Sequence, residues 1–240
     1  MHRNRGNILF LILLAVVLFA ALSYAVTNSL RGGGKDAGDE KTVSQAADMM
    51  NYFVQLDTAV QRMMLTGNIQ DYQLNFYYQT GNNYIQSGYD NTNCTENKCR
   101  VFHPDGGSVA GRKTTPWMRN PSDTAYTQAR IWYAQVPGAG SSAPDILFAI
   151  QQVKTPLCKA INKKVLGIDD IIYSINDITI GSPVYQGSPP PIGPISNNLM
   201  LPVTHTIGQT GTFCSCRSAT QSDCEASDSM PVVYHVLVAR

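Results

Sequence analysis

The sequence predicts an α+β protein. An N-terminal transmembrane helix is followed by a second helix packed on a small antiparallel sheet, with disulfide-tied loops toward the C-terminus. Three observations carry this. Residues 8–22 contain no polar side chain. Residues 43–64 repeat apolar positions near the 3.6 period of a helix. Beyond residue 129 short apolar runs alternate with Gly- and Pro-rich loops, and four of the six cysteines lie there. The 240 residues are 15% charged, where a typical soluble domain carries about 25%. Part of that deficit lies in the N-terminal run. The rest lies between Asp177 and Arg217, where no Asp, Glu, Lys or Arg occurs. A net charge of +1 supplies no field to gather nucleic acid.

The apolar run extends through Ala25 and Val26, giving about 28 Å of helix, enough to cross a hydrocarbon core of roughly 30 Å. Arg3 and Arg5 precede it, which places the N-terminus in the cytoplasm and the rest outside. Three fates remain open for this segment. It can stay as an uncleaved anchor, or be cut as a secretory signal after the small-x-small triplet Ser23-Tyr24-Ala25. The third fate follows from Arg5-Gly6-Asn7 standing directly before the apolar run, which resembles the leader junction of type IV pilins and pseudopilins.

That resemblance covers about the first 30 residues. It implies a leader over 1–6, cleavage between Gly6 and Asn7 by a prepilin peptidase, and N-methylation of Asn7. It further implies retention of 7–30 as the first part of a helix that contacts other pilin-like subunits. The family's fifth mature position usually carries Glu, and here it is Leu11, a departure found in minor members. The implied function is a non-enzymatic minor subunit of a type IV filament or secretion pseudopilus. It would sit in a bacterial inner membrane with its C-terminal domain in the periplasm. The rival is a membrane-anchored periplasmic receptor or adhesin-like binding module.

Residues 31–40 contain Gly32-Gly33-Gly34, which predicts a flexible linker between the anchor and a domain over 41–240. A helix is expected from about 41 to 66, with Val43, Ala46, Met50, Phe53, Val54, Val60, Met63 and Met64 on its apolar face, ended by Gly67. The segment 69–89 holds Tyr72, Phe76, Tyr77, Tyr78, Tyr84 and Tyr89, read as rings packed on the helix with their hydroxyls in water, the alternative being a sugar- or partner-binding surface. Residues 129–136 and 145–153 predict an antiparallel strand pair joined by a Pro/Gly/Ser loop. A short helix follows, with Thr155 as N-cap, Pro156 at N1 and Gly167 as the stop. Residues 168–180 read as a strand or buried edge. The stretch 181–202 carries six prolines and reads as a strap, and 231–238 as a closing strand.

Six cysteines fit an oxidising compartment. Cys94 and Cys99 are expected to pair. Cys158 on the short helix and Cys214, Cys216 and Cys224 in a polar loop would form two bridges, one tying that loop to the helix, with the pairing open. Zinc is the alternative for Cys94, Cys99 and His103 or for Cys214, Cys216 and Cys224, but neither set has the two-knuckle spacing. No catalytic residue, cofactor or resident metal is predicted. His103 with Asp105 lies in a turn, His205 lies in the uncharged region, and 106–110 misses the last glycine of a nucleophile elbow. Asp169, Asp170 and Asp177 lack calcium-loop spacing. A hydrolase built on His103 or His205 is the weakest of the rivals.

Overall fold

The computed structural model of the chain describes residues 6–77, 90–122, 129–134, 136, 145–174, 211–217, 224 and 231–239. Its elements are α1 (Gly6–Leu65), β1 (Arg130–Ala134), β2 (Asp145–Ile150), α2 (Thr155–Leu166), β3 (Ile172–Ser174), β4 (Thr212–Arg217) and β5 (Val232–Val238). The protein is α+β with three disulfides. The chain divides into two units, Met1–Ser44 and Gln45–Arg240.

In the first unit the backbone is helical from Gly6, including residues 31–40, where a break was expected. Each glycine costs a helix about 1 kcal/mol relative to alanine, which weakens this stretch without forbidding a helical backbone there. Thr42 Oγ1 donates to the Gly38 carbonyl at 3.0 Å, back-bonding within the same helix. Among the described residues no helix is long and apolar enough to cross a membrane. Apart from 16–19 and Ser23, which are exposed, the side chains of the apolar run at 8–26 lie outside that description.

In the second unit α1 buries Ala46, Met49, Tyr52, Phe53, Leu56, Ala59, Val60 and Met63. This stripe is rotated from the expected one. Val54 is exposed rather than buried, as is Val43 in the first unit, and Met50 and Met64 are only partly covered. The buried arc is centred on Phe53, Leu56 and Val60, with Tyr52 and Ala59 on one side of it, and Val54 falls beyond its other edge.

The sheet order is β1-β2-β5-β4-β3. The first four strands pair antiparallel, as expected for β1 and β2, and β3 joins β4 in parallel. Alternation along the strands makes two apolar faces. Ile146, Phe148, Ile150, Val233 and Leu237 share the core with α1. Leu147, Ala149, Phe213, Tyr234 and Trp132 form a second cluster, in which Phe213 stacks on Tyr234 at 5.0 Å. Cys214 and Cys216, read as loop residues, lie on β4, because pairing with β5 outweighs a locally polar sequence.

α2 is fixed from both ends. Its N-cap is Lys154, not Thr155, whose hydroxyl oxygen accepts from Arg119 Nη2 at 2.6 Å instead. Its C-cap is Gly167 at φ 72°, with Gly167 N and Ile168 N donating back to the Lys163 and Asn162 carbonyls. The fully buried Asn162 side chain donates to the carbonyls of Asp170 and Cys214 and accepts from Cys214 N at 2.8 Å. The Cys158–Cys214 bridge joins the same two elements covalently.

Between α1 and β1 the chain folds back on the helix. Asn75 N donates to the Cys99 carbonyl and Val101 N to the Asn75 carbonyl, both at 2.9 Å. Asn91, also buried, donates to the Tyr72 and Leu74 carbonyls. A Cβ at Gly107 would lie 2.2 Å from the Val101 carbonyl oxygen, so the turn closes only with glycine there. Gly107→Ala is expected to cost about 1–3 kcal/mol, read as a lower urea midpoint with an unchanged slope. A midpoint matching the native protein's would refute that close approach.

Candidate functional site

Four side chains converge where α1 meets the sheet. Cross-strand pairing sets Thr212 of β4 opposite His235 of β5. The Thr212 hydroxyl lies 2.6 Å from His235 Nδ1. The other ring nitrogen, Nε2, lies 2.9 Å from Asp57 Oδ2 on α1. Close as they are, neither His235 Nε2 nor Asp57 Oδ1 completes an aligned hydrogen bond among the described residues. One helical turn before Asp57, Phe53 stacks on the imidazole at 4.7 Å with the planes 5° apart.

Hydroxyl, imidazole and carboxylate in a row are the components of a nucleophile and its base. Their burial decides otherwise. Thr212 is wholly buried and His235 is 5% exposed, so no substrate carbonyl can reach the hydroxyl. The arrangement joins α1, β4 and β5 through polar contacts in an otherwise apolar interface. It is a structural junction.

The histidine singled out from the sequence fares no better as a base. His103 Nδ1 accepts from Asp105 N at 3.2 Å and lies 3.6 Å from Asp105 Oδ2, inside one exposed turn. The nearby Ser108 hydroxyl donates to the Pro104 carbonyl at 2.6 Å, so it is committed to the backbone. His205 lies outside the described residues, as do Asp177, Tyr78, Tyr84, Tyr89 and the proline-rich stretch. Of the remaining ring-bearing residues there, Phe76 is buried, Tyr77 half-buried and Tyr72 exposed.

The cysteines are all bonded: Cys94–Cys99, Cys158–Cys214 and Cys216–Cys224. None is therefore available as a zinc ligand. Among the described residues no three His, Cys, Asp or Glu side chains gather as a metal site. Asp169 and Asp170 are engaged instead by Lys163 at 2.6 Å and Lys159 at 3.7 Å.

The surface feature of most interest is an open groove of about 380 Å³ between α1 and residues 107–110. Val54, Thr58 and Ala59 line one wall, and Ser108, Val109 and Ala110 the other. Arg62 spans one end, donating to the Gly107 carbonyl at 2.7 Å and the Gly106 carbonyl at 3.3 Å. This clamps the turn to the helix. Ser108 holds φ 56° there, a conformation that a residue with a side chain rarely adopts. The groove is not legible in the sequence, because its two walls are some fifty positions apart in the chain.

No family model, curated protein or solved structure matches the chain.

Proposed function

We propose that the chain is a non-enzymatic, minor pilin- or pseudopilin-like subunit. Its apolar segment at 7–30 would insert in a bacterial inner membrane, and its α+β domain would stand in the periplasm. After removal of 1–6 and methylation of Asn7, it would be recruited into a type IV filament or secretion pseudopilus.

The observation that carries this reading is α1. Among the described residues its backbone is helical from Gly6 to Leu65, through the whole apolar run at 8–26. In the second unit the same helix lays Phe53, Leu56 and Val60 against an antiparallel sheet. A helix that is all apolar early and amphipathic late suits two successive solvents, lipid first and then a protein core. Leu11 supplies no carboxylate inside the bilayer, which favours an accessory place over that of a repeating subunit. The disulfides add support for an extracytoplasmic domain.

The groove beside Arg62 is what an anchored binding module would use, so the two readings need a readout that separates them. Mass spectrometry of the N-terminus, on protein isolated from its own cells, does so. The expected mature chain starts with N-methyl Asn7. An intact Met1, or a start at Val26 after signal cleavage, overturns the pilin-like reading and leaves the binding module.

A further inference from the structure

The loop closed by Cys94–Cys99 carries a second feature. Asn93-Cys94-Thr95 is an Asn-x-Thr triplet, and it is the only Asn-x-Ser/Thr triplet in the chain whose middle residue is not proline. Asn120-Pro121-Ser122 has the same outer pattern but proline in the middle, which removes it as an acceptor. Motifs this short arise by chance, so the surroundings have to decide.

They favour an acceptor. Asn93 sits near the tip of a turn in which Cys94 N donates to the Asn91 carbonyl at 3.0 Å, and Asn93 N donates to Asn91 Oδ1 at 2.9 Å. Asn91 is itself buried and holds the Tyr72 and Leu74 carbonyls, so the turn is anchored from beneath while its tip stands clear. Asn93 and Thr95 are both exposed, on either side of the buried Cys94. No hydrogen bond holds the Asn93 amide or the Thr95 hydroxyl among the described residues, which leaves both for an enzyme to engage. Three disulfides place this loop in a compartment of the kind where proteins are glycosylated.

We propose that Asn93 is an N-glycosylation site. The donor class is a glycan carried on a polyprenyl pyrophosphate. The Asn93 side-chain nitrogen forms a bond to the sugar's anomeric carbon as the bond from that carbon to the pyrophosphate oxygen breaks. The lipid pyrophosphate leaves with the electron pair, and the amide nitrogen gives up one proton. A glycan at the tip would enlarge the loop's polar surface without entering the core. This inference rests only on the extracytoplasmic part of the functional reading, and it holds or fails whatever the N-terminus proves to be.

The test is peptide mapping by mass spectrometry of the full chain isolated from its own cells. The expected result is a sugar-containing adduct on the peptide spanning residue 93. It should vanish in Asn93→Gln and Thr95→Ala and persist in Thr95→Ser. Both substituted positions are exposed, and a thermal melt matching the native one confirms that each variant is folded. An unmodified peptide in folded, disulfide-bonded native protein overturns the proposal. So does an adduct that survives Asn93→Gln, which would place the sugar on a neighbouring hydroxyl.

Discussion

Replacing Cys158 and Cys214 together by alanine is expected to destabilise the domain by about 4 kcal/mol, the largest effect of opening any one of the three bridges. The bridge spans 56 positions, against 5 for Cys94–Cys99 and 8 for Cys216–Cys224. Restricting the unfolded chain is worth more as the closed loop lengthens, so the two short bridges should contribute nearer 2–2.5 kcal/mol each. For a domain of this size the longer bridge corresponds to a fall in Tm of roughly 8–16 °C. Thermal unfolding followed by circular dichroism on the three double variants checks the order. If loss of Cys94–Cys99 costs as much as loss of Cys158–Cys214, loop closure is not the source of the stability. Asn162 should preserve part of the α2–β4 contact in the variant, since its three hydrogen bonds to the β4 backbone and the Asp170 carbonyl do not depend on the sulfurs.

Phe53→Ala comes next, with an expected cost of about 3–5 kcal/mol. The ring is fully buried, meets Phe148 edge-on at 6.0 Å and lies flat on His235. Its removal opens a cavity at the helix–sheet interface and frees the imidazole from the face that orients it. Phe53→Leu keeps much of the volume and should cost less than half as much. Val54→Ala, one residue on, touches the exposed side of the helix and should change stability by no more than about 0.5 kcal/mol. Urea unfolding of the three variants decides the matter. Similar midpoints for Phe53→Ala and Val54→Ala would mean that α1 does not pack on the sheet with this face.

The contrast between residues 53 and 54 also shows what a sequence can and cannot reveal. Helical periodicity located the helix, but an apolar pair straddling the edge of the buried stripe left its rotation undetermined. Leu56 and Tyr52 resolve it, and both are in the core. β1, β2 and α2 were legible because their signals are local: branched and aromatic residues, a turn-forming loop, and a glycine that ends a helix. β4 was not legible. Thr212, Ser215 and two cysteines have little strand character alone, and the assignment comes from β5 lying alongside.

The Asp57–His235–Thr212 junction was hidden for the same reason, since three separate elements supply it. An acid on the buried side of α1, four positions from Phe53, was the one local hint that a polar partner waited opposite. The disulfides were legible as a set. The particular pairing required Cys158 and Cys214 to be brought to a Cα separation of 5.4 Å by the fold.

The placement of β5 between β2 and β4 governs the order of events in making this protein. Before residues 232–238 are available, β1 and β2 can pair as a hairpin and β3 can meet β4, but no strand pairing joins the two halves. His235 and Val233, which face α1, are missing as well. A chain in which these residues have not yet docked therefore has an open sheet, with strand edges exposed to other chains. Closure of the sheet therefore waits on residues 232–238, and until they pair on both sides the long helix has only part of its seat.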